Sequence, residues 1–216
     1  MALLTNSRSE PEKDLPALES LNQEFKAAYV SILDELNHIK DMLRGMVLHP
    51  QRLDLKKWLA DFLQQKMSHG SSFYCVTDEL HADVDPLLMS GALSEMIQNS
   101  ADAASTPEAL QVSLTVESFL FEDTEYIRIL YLDRGPGIPQ ELKAKIFDDF
   151  FTRRVGKPAG VGVGLTYVKR AVLTHGGTIR EDGTSGQGAR FVIEFPRWVV
   201  GSTDKEEGNA FANTDR

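Results

Sequence analysis

A single cysteine cannot form an internal disulfide, and Cys75 has no metal-ligand partner at zinc-like spacing. It sits in the apolar stretch Phe73-Tyr74-Cys75-Val76 and reads as a small buried hydrophobe. No apolar run reaches the roughly 18 residues of a membrane-spanning helix. The N-terminal MALLTNSRSEPEKDLP lacks the apolar segment of a signal peptide. A cytoplasmic setting is expected, either for a separate protein or for the soluble end of a larger membrane-anchored one. Positive charge is scarce: 23 Lys and Arg stand against 32 Asp and Glu, a net charge of -9. That balance excludes broad attraction to nucleic acid or anionic lipid. One basic cluster, Arg153, Arg154 and Lys157, runs against the trend. Internal repeats are missing, as are the early GxGxxG of a dinucleotide fold and the lysine-bearing Walker pattern.

What is present fits one compact domain with an appendage. Residues 1–14 are a polar lead-in, expected to be disordered. From about 16 to 47 the pattern is helical, with Leu18, Leu21, Phe25, Ala28, Ile32, Leu36, Ile39, Leu43 and Met46 along one seam. Such a seam must pack on the following domain or on a second chain. A second helix is expected at about 53–67 and a short strand at 72–77. Asp85-Pro86 then opens a helix running to about 104. Strands follow near 109–120 and 125–133, then a glycine-rich middle over 134–164. A helix at about 165–175 stops at His175-Gly176-Gly177, and strands fit 178–182 and 189–195. The division is a 1–14 lead-in, a 15–50 helix, a 51–198 domain and a disordered 199–216 tail. This order predicts an α+β fold, a two-layer sandwich with helices on one face of a mixed, largely antiparallel sheet.

Five segments carry polar chemistry. In Glu95-Met96-Ile97-Gln98-Asn99-Ser100-Ala101-Asp102-Ala103, Glu95 and Asn99 stand four apart on one helix face. Leu88, Ala92, Met96 and Ala103 are expected on the buried face. A carboxamide offers Mg²⁺ a hard neutral oxygen, and a nearby carboxylate orients or deprotonates a hydroxyl or water. Alone, the pair reads more readily as two solvated residues. Asp133-Arg134-Gly135-Pro136-Gly137-Ile138-Pro139 directly follows a strand. There Asp133 can accept from an exocyclic amine such as adenine's, and the glycines allow close backbone approach. By itself the segment is also a plain tight turn. Gly160-Val161-Gly162-Val163-Gly164-Leu165 leads into a helix, as a phosphate site built of backbone amides or as a hinge. Ile146 to Arg154 sets aromatics beside arginines, as a lid or as a core segment. Gly183 to Phe191 reads as a hairpin.

Taken in order, Glu-x-x-x-Asn, Asp-x-Gly-x-Gly, a Phe-containing segment, Gly-x-Gly-x-Gly and a last glycine-rich hairpin resemble the GHKL ATP-binding domain over about residues 53–197. IFDDFFTRR before GVGVGLTYVKRAVLTHGG, then GQGARFVIEFP, looks most like the catalytic domain of sensor histidine kinases. The resemblance implies a Bergerat-type fold that binds ATP with Mg²⁺. By it, Asn99 would ligand Mg²⁺ and Asp133 would read the adenine amine. Gly135, Gly137 and Ile138 would line the adenine pocket. Gly160, Gly162 and Gly164 would wrap the phosphates, within a run that includes Val161, Val163 and Leu165. Thr184 and Gly188 would form the floor near adenine. Arg153, Arg154 and Lys157 would reach phosphate from a lid that includes Phe150, and Asp102 completes the nucleotide-binding set.

Two departures bear on activity. Many histidine kinases carry Asn where Glu95 stands. Glu-x-x-x-Asn also matches gyrase-like and chaperone ATPases, whose Glu prepares water for hydrolysis. Kinases of this kind also carry a phosphoacceptor His followed by an acid, a base and a nearby proline. His38-Ile39-Lys40-Asp41-Met42 lacks that pattern, so His38 reads as a solvated helix residue. Its helix resembles the second helix of a dimerisation hairpin. His175 matches a structural helix-end histidine. The resemblance implies an ATP-dependent protein-histidine kinase of a two-component phosphorelay, whose acceptor histidine lies outside this chain. In that reading Glu95 assists the accepting imidazole. The implied partners are a second copy joined through the 18–46 helix, a histidine-bearing dimerisation helix and a response regulator, with no nucleic acid. An ATP-hydrolysing switch and a non-catalytic nucleotide- or partner-binding module remain as alternatives.

Overall fold

The computed structural model describes residues 15–67, 69–151 and 162–198. The lead-in and the tail fall outside them. A long helix, α1 (Leu15–Arg44), comes first. Its seam residues Leu18, Leu21, Phe25, Ile32 and Leu36 are 55–71% exposed, so the described residues do not cover them.

Strand β1 (Gln51–Asp54) leads straight into α2 (Leu55–Lys66). The Asp54 carboxylate caps α2 by accepting from the Lys57 amide at 3.2 Å. Leu55, Leu59, Phe62 and Leu63 form its buried face. β1 pairs antiparallel with β3 (His81–Val84) in a small separate sheet. The helix expected from residue 53 therefore starts two residues later, because Leu53 and Asp54 belong to a strand. At four residues each, β1 and β3 are too short to show a periodicity.

Helix α3 (Pro86–Ala103) starts as its Asp-Pro pair predicts. Asp85 Oδ1 accepts from the amides of Leu87 and Leu88 at 3.0 and 3.1 Å. Met89, Ala92, Leu93, Met96, Ile97 and Ser100 point inward. Ala103, expected inside, is exposed and instead lines a cavity beyond the last turn.

The main sheet has the order β2 (Ser71–Cys75), β4 (Val112–Phe121), β5 (Thr124–Asp133), β7 (Arg190–Pro196), β6 (Thr178–Glu181). Only β2 and β4 run parallel. Its inner face sets Leu114 and Val116, Ile127 and Ile129, and Ile193 and Phe195 against the helices, all of them fully buried. The outer face carries ions: Arg128 donates to Glu117 at 2.7 Å and to Glu194 at 2.6 Å. The result is the expected two-layer α/β sandwich with a mixed, largely antiparallel sheet.

Helix α4 (Gly164–Thr174) packs on α3. The fit is close enough that a Cβ on Gly91 would lie 2.5 Å from the Tyr167 hydroxyl. At its far end His175 is buried, with Nδ1 donating to Ala171 O at 2.7 Å and Nε2 accepting from the Asp85 amide at 3.0 Å. One neutral tautomer thus ties the end of α4 to the cap of α3. Burial lowers the proton affinity of His175 below its ordinary value.

Candidate functional site

The polar face of α3 meets the start of α4. Glu95 and Asn99 are half-buried there, one helical turn apart. A Cβ added to Gly164 would collide with Glu95 Oε2 and lie 3.7 Å from Asn99 Nδ2. Glycine is what lets the two elements come this close. Asn99 Nδ2 is buried and has no hydrogen-bond partner among the described residues. Such an atom costs about 1–3 kcal/mol unless something satisfies it. Among the described residues no side chain caps α4, whose N-cap is the buried Val163, and its leading amides can serve an anion. One turn along α3, Gln98 donates to Asp102 at 3.2 Å.

Asp133 ends β5 on the other side of α3. Its Oδ1 accepts from the amides of Gly135 at 2.9 Å and Ala189 at 2.8 Å. Its Oδ2 accepts from the Ser100 hydroxyl at 2.7 Å. Ser100 also lies 2.8 Å from the Tyr131 hydroxyl. Beside this carboxylate opens a cavity of about 290 Å³, bordered by Ser100, Ala103, Leu110, Arg134 and Gly135.

Backbone crowding explains two of the glycines. Gly137 has φ +68°, and a Cβ there would lie 2.8 Å from Thr184 O and 2.9 Å from Gly188 O. Gly188 has φ +91°, and its Cβ would drive into the carbonyl oxygen of Asp133. The first and last glycine segments therefore form one floor, which Gly186 N also joins by donating to Pro136 O at 2.7 Å. A buried ion pair underlies it. Lys143 Nζ lies 2.9 Å from Glu181 Oε2 and also donates to Gly183 O. Glu181 Oε1 accepts from the amides of Gly183 and Arg190.

Glu95, Asn99, Gly164 and Leu165 thus gather at the α3–α4 junction, and Asp133, Gly135, Gly137, Ile138, Thr184 and Gly188 at the β5 end. Asp102 is half-buried on α3, one turn beyond Gln98. Gly162, with φ +76°, packs on the backbone of Phe150 and Phe151. Phe150 itself is 66% exposed with φ +63°, while Phe147 and not Phe150 is buried, edge-on to Phe191. Arg153, Arg154, Lys157, Gly160 and Val161 lie outside the described residues. Sequence reasoning missed Ser100, Tyr131, Lys143 and Glu181. Each acts through a partner at least 31 positions away, so no local spacing marks it.

The family model for the histidine kinase-, DNA gyrase B- and HSP90-like ATPases matches residues 84–199. The chain belongs to this family. Its glycine segments, α3 and α4 all fall inside the matched region. Among curated relatives it is 31% identical over 173 residues to the adaptive-response sensory kinase SasA of Synechococcus sp. (strain CC9311), covering 74% of this chain and 43% of that protein. It is 28% identical over 222 residues to the sensor kinase CckA of Brucella abortus (strain 2308), covering 91% of this chain and 22% of that protein. The chain thus spans less than half the length of these relatives. Among solved structures, full-length ShkA in complex with AMPPNP matches with a TM-score of 0.64 at 21% identity, over 89% of this chain and 40% of that one. Histidine kinase ThkA in complex with the response regulator TrrA matches with a TM-score of 0.62 at 21% identity, over 88% of this chain and 53% of that one. Both share the fold described above. Among the described residues, no helix is long and apolar enough to cross a membrane.

Proposed function

We propose that residues 51–198 form the ATP-binding catalytic domain of a sensor histidine kinase, transferring the γ-phosphoryl group of ATP to a histidine outside this chain. The observation that carries this reading is the buried Asn99 Nδ2, which has no hydrogen-bond partner among the described residues and lies beside the glycine-led start of α4. A polar atom buried at a cost is what a ligand site leaves behind.

Phosphoryl transfer depends on positioning and on spreading charge, with little covalent work for the protein. Asn99 Oδ1 is the hard neutral donor that would hold Mg²⁺, which when bound neutralises charge on the triphosphate. The amides opening α4 bind phosphate oxygens, and the helix dipole favours the negative charge. Asp133 accepts from the adenine amine, over the floor made by Gly137 and Gly188. Glu95, beside Gly164, orients the accepting imidazole. Arg153, Arg154 and Lys157 would contact phosphate from the segment between the glycine elements. The exposed seam of α1 supports pairing of two copies through residues 18–46, and a response regulator is the expected onward partner.

Incubation with γ-labelled ATP, Mg²⁺ and an intact histidine-bearing dimerisation helix tests the reading. Label on the added helix is the expected result, lost in Asn99→Ala. Free phosphate without labelled protein would favour the second reading, an ATP-driven switch in which Glu95 activates water. The Glu95 carboxylate, where many kinases have Asn, is the feature favouring that alternative.

A further inference from the structure

Ser100 is 4% exposed at the wall of the cavity, and Tyr131 is fully buried and does not border it. Their hydroxyls form a chain to the carboxylate with steps of 2.8 and 2.7 Å. The direction of that chain follows from counting hydrogens. An ionised carboxylate only accepts, so the one Ser100 hydrogen goes to Asp133 Oδ2. Tyr131 must then be the donor to Ser100 Oγ. Meanwhile Oδ1 is filled by two backbone amides, from Gly135 and Ala189. The carboxylate is held at both oxygens, and the remaining acceptor capacity lies on Oδ2. Burial also raises the proton affinity of the Tyr131 hydroxyl, which keeps its hydrogen in place.

We propose that Tyr131 and Ser100 form a one-way hydrogen-bond relay that fixes the Asp133 carboxylate as an acceptor, and so make the site select a purine with an exocyclic 6-amino group. This rests on the reading of Asp133 as the base-recognition residue. Ser100 and Tyr131 are positioning residues: Tyr131 is buried out of reach of the base, and Ser100, at the cavity wall, acts through the one hydrogen it commits to Asp133. A carbonyl at position 6 would bring an acceptor against an acceptor, and a 6-hydrogen would leave the remaining acceptor capacity of Oδ2 unmet. Removing the Ser100 hydroxyl frees the plane of the carboxylate to swing about its two amide bonds. It also leaves the Tyr131 hydrogen without an acceptor.

The test is calorimetric titration of the full chain with the Mg²⁺ complexes of ATP, inosine triphosphate and purine riboside triphosphate, which carry an amine, a carbonyl and a hydrogen at position 6. The wild type should bind ATP at least about tenfold more tightly than either analogue. In Ser100→Ala, ATP binding should weaken about tenfold while purine riboside triphosphate changes less than twofold. Ser100→Thr keeps the hydroxyl and should restore ATP binding. Tyr131→Phe keeps the ring on Phe191 and should shift the ratio the same way by a smaller factor. Equal loss for ATP and purine riboside triphosphate in both variants would overturn the relay, because that is what a deformed cavity does. Unchanged ATP binding in both would also overturn it. No binding by the wild type would remove the ATP reading itself, and the relay with it.

Discussion

Asn99 holds the clearest contradiction at the residue scale: a buried amide nitrogen with no hydrogen-bond partner among the described residues. Stability and ligand binding should therefore part company there. Asn99→Ala removes an unsatisfied group, so its melting temperature should equal or exceed the wild type's, a gain of up to about 1 kcal/mol. The same variant should lose Mg²⁺-ATP affinity by at least about tenfold, read by calorimetry. Gly188 behaves in the opposite way. Gly188→Ala forces a methyl group onto the Asp133 carbonyl at a φ of +91°. It should cost about 2–4 kcal/mol in urea unfolding, because strain and a steric clash add. The sequence pattern marks both residues, since the Asn lies four after a Glu and the Gly in a glycine-rich hairpin. It does not mark Ser100 and Tyr131. Their bond joins α3 to β5 across 31 positions, and a serine or tyrosine alone has no spacing to betray it.

At the scale of elements, the link between α3 and α4 decides the site, because Glu95 and Asn99 stand on one helix and Gly164 opens the other. His175 locks their opposite ends by bridging Ala171 O and the Asp85 amide. A protonated ring would turn Nε2 into a donor facing a donor. The fold therefore favours the neutral form, while the unfolded chain takes up the proton near the ordinary histidine value of about 6.5. Folding stability should be full above that pH and fall as pH drops from it toward the lowered folded value. Urea midpoints measured from pH 8 to pH 5 would show this, and His175→Ala should lower the midpoint at pH 8 and flatten the profile. Helices α1 to α4 and the long strands were legible from their apolar periods, and Asp85-Pro86 marked the start of α3. β1 and β3 were not, since four-residue strands carry no period and pair partners at least 27 positions apart. The Lys143–Glu181 pair escaped for the same reason.

For the whole molecule, one face is out of place. The α1 seam leaves Leu18, Leu21, Phe25, Ile32 and Leu36 more than half exposed on a 30-residue helix. Burying it against a second copy is the arrangement its spacing favours. Replacing Leu21 and Phe25 with Asp should shift the chain to a monomer by sedimentation velocity. The melting of residues 51–198 should remain within about 1 °C, because those side chains stand clear of the core. The α/β domain draws its stability from the core between the helices and the five-stranded sheet, and the candidate site lies at one edge of that core. There, in the proposed reading, two clusters, Glu95–Asn99–Gly164 and Asp133–Gly137–Gly188, would take the two ends of one nucleotide. The most direct test is calorimetric titration of the 216-residue chain with ATP and Mg²⁺, beside Asn99→Ala and Asp133→Ala. The account predicts saturable binding with one nucleotide per chain, lost or severely weakened in both variants while each stays folded. A folded wild type that takes up no nucleotide, or equal binding by all three proteins, would contradict it.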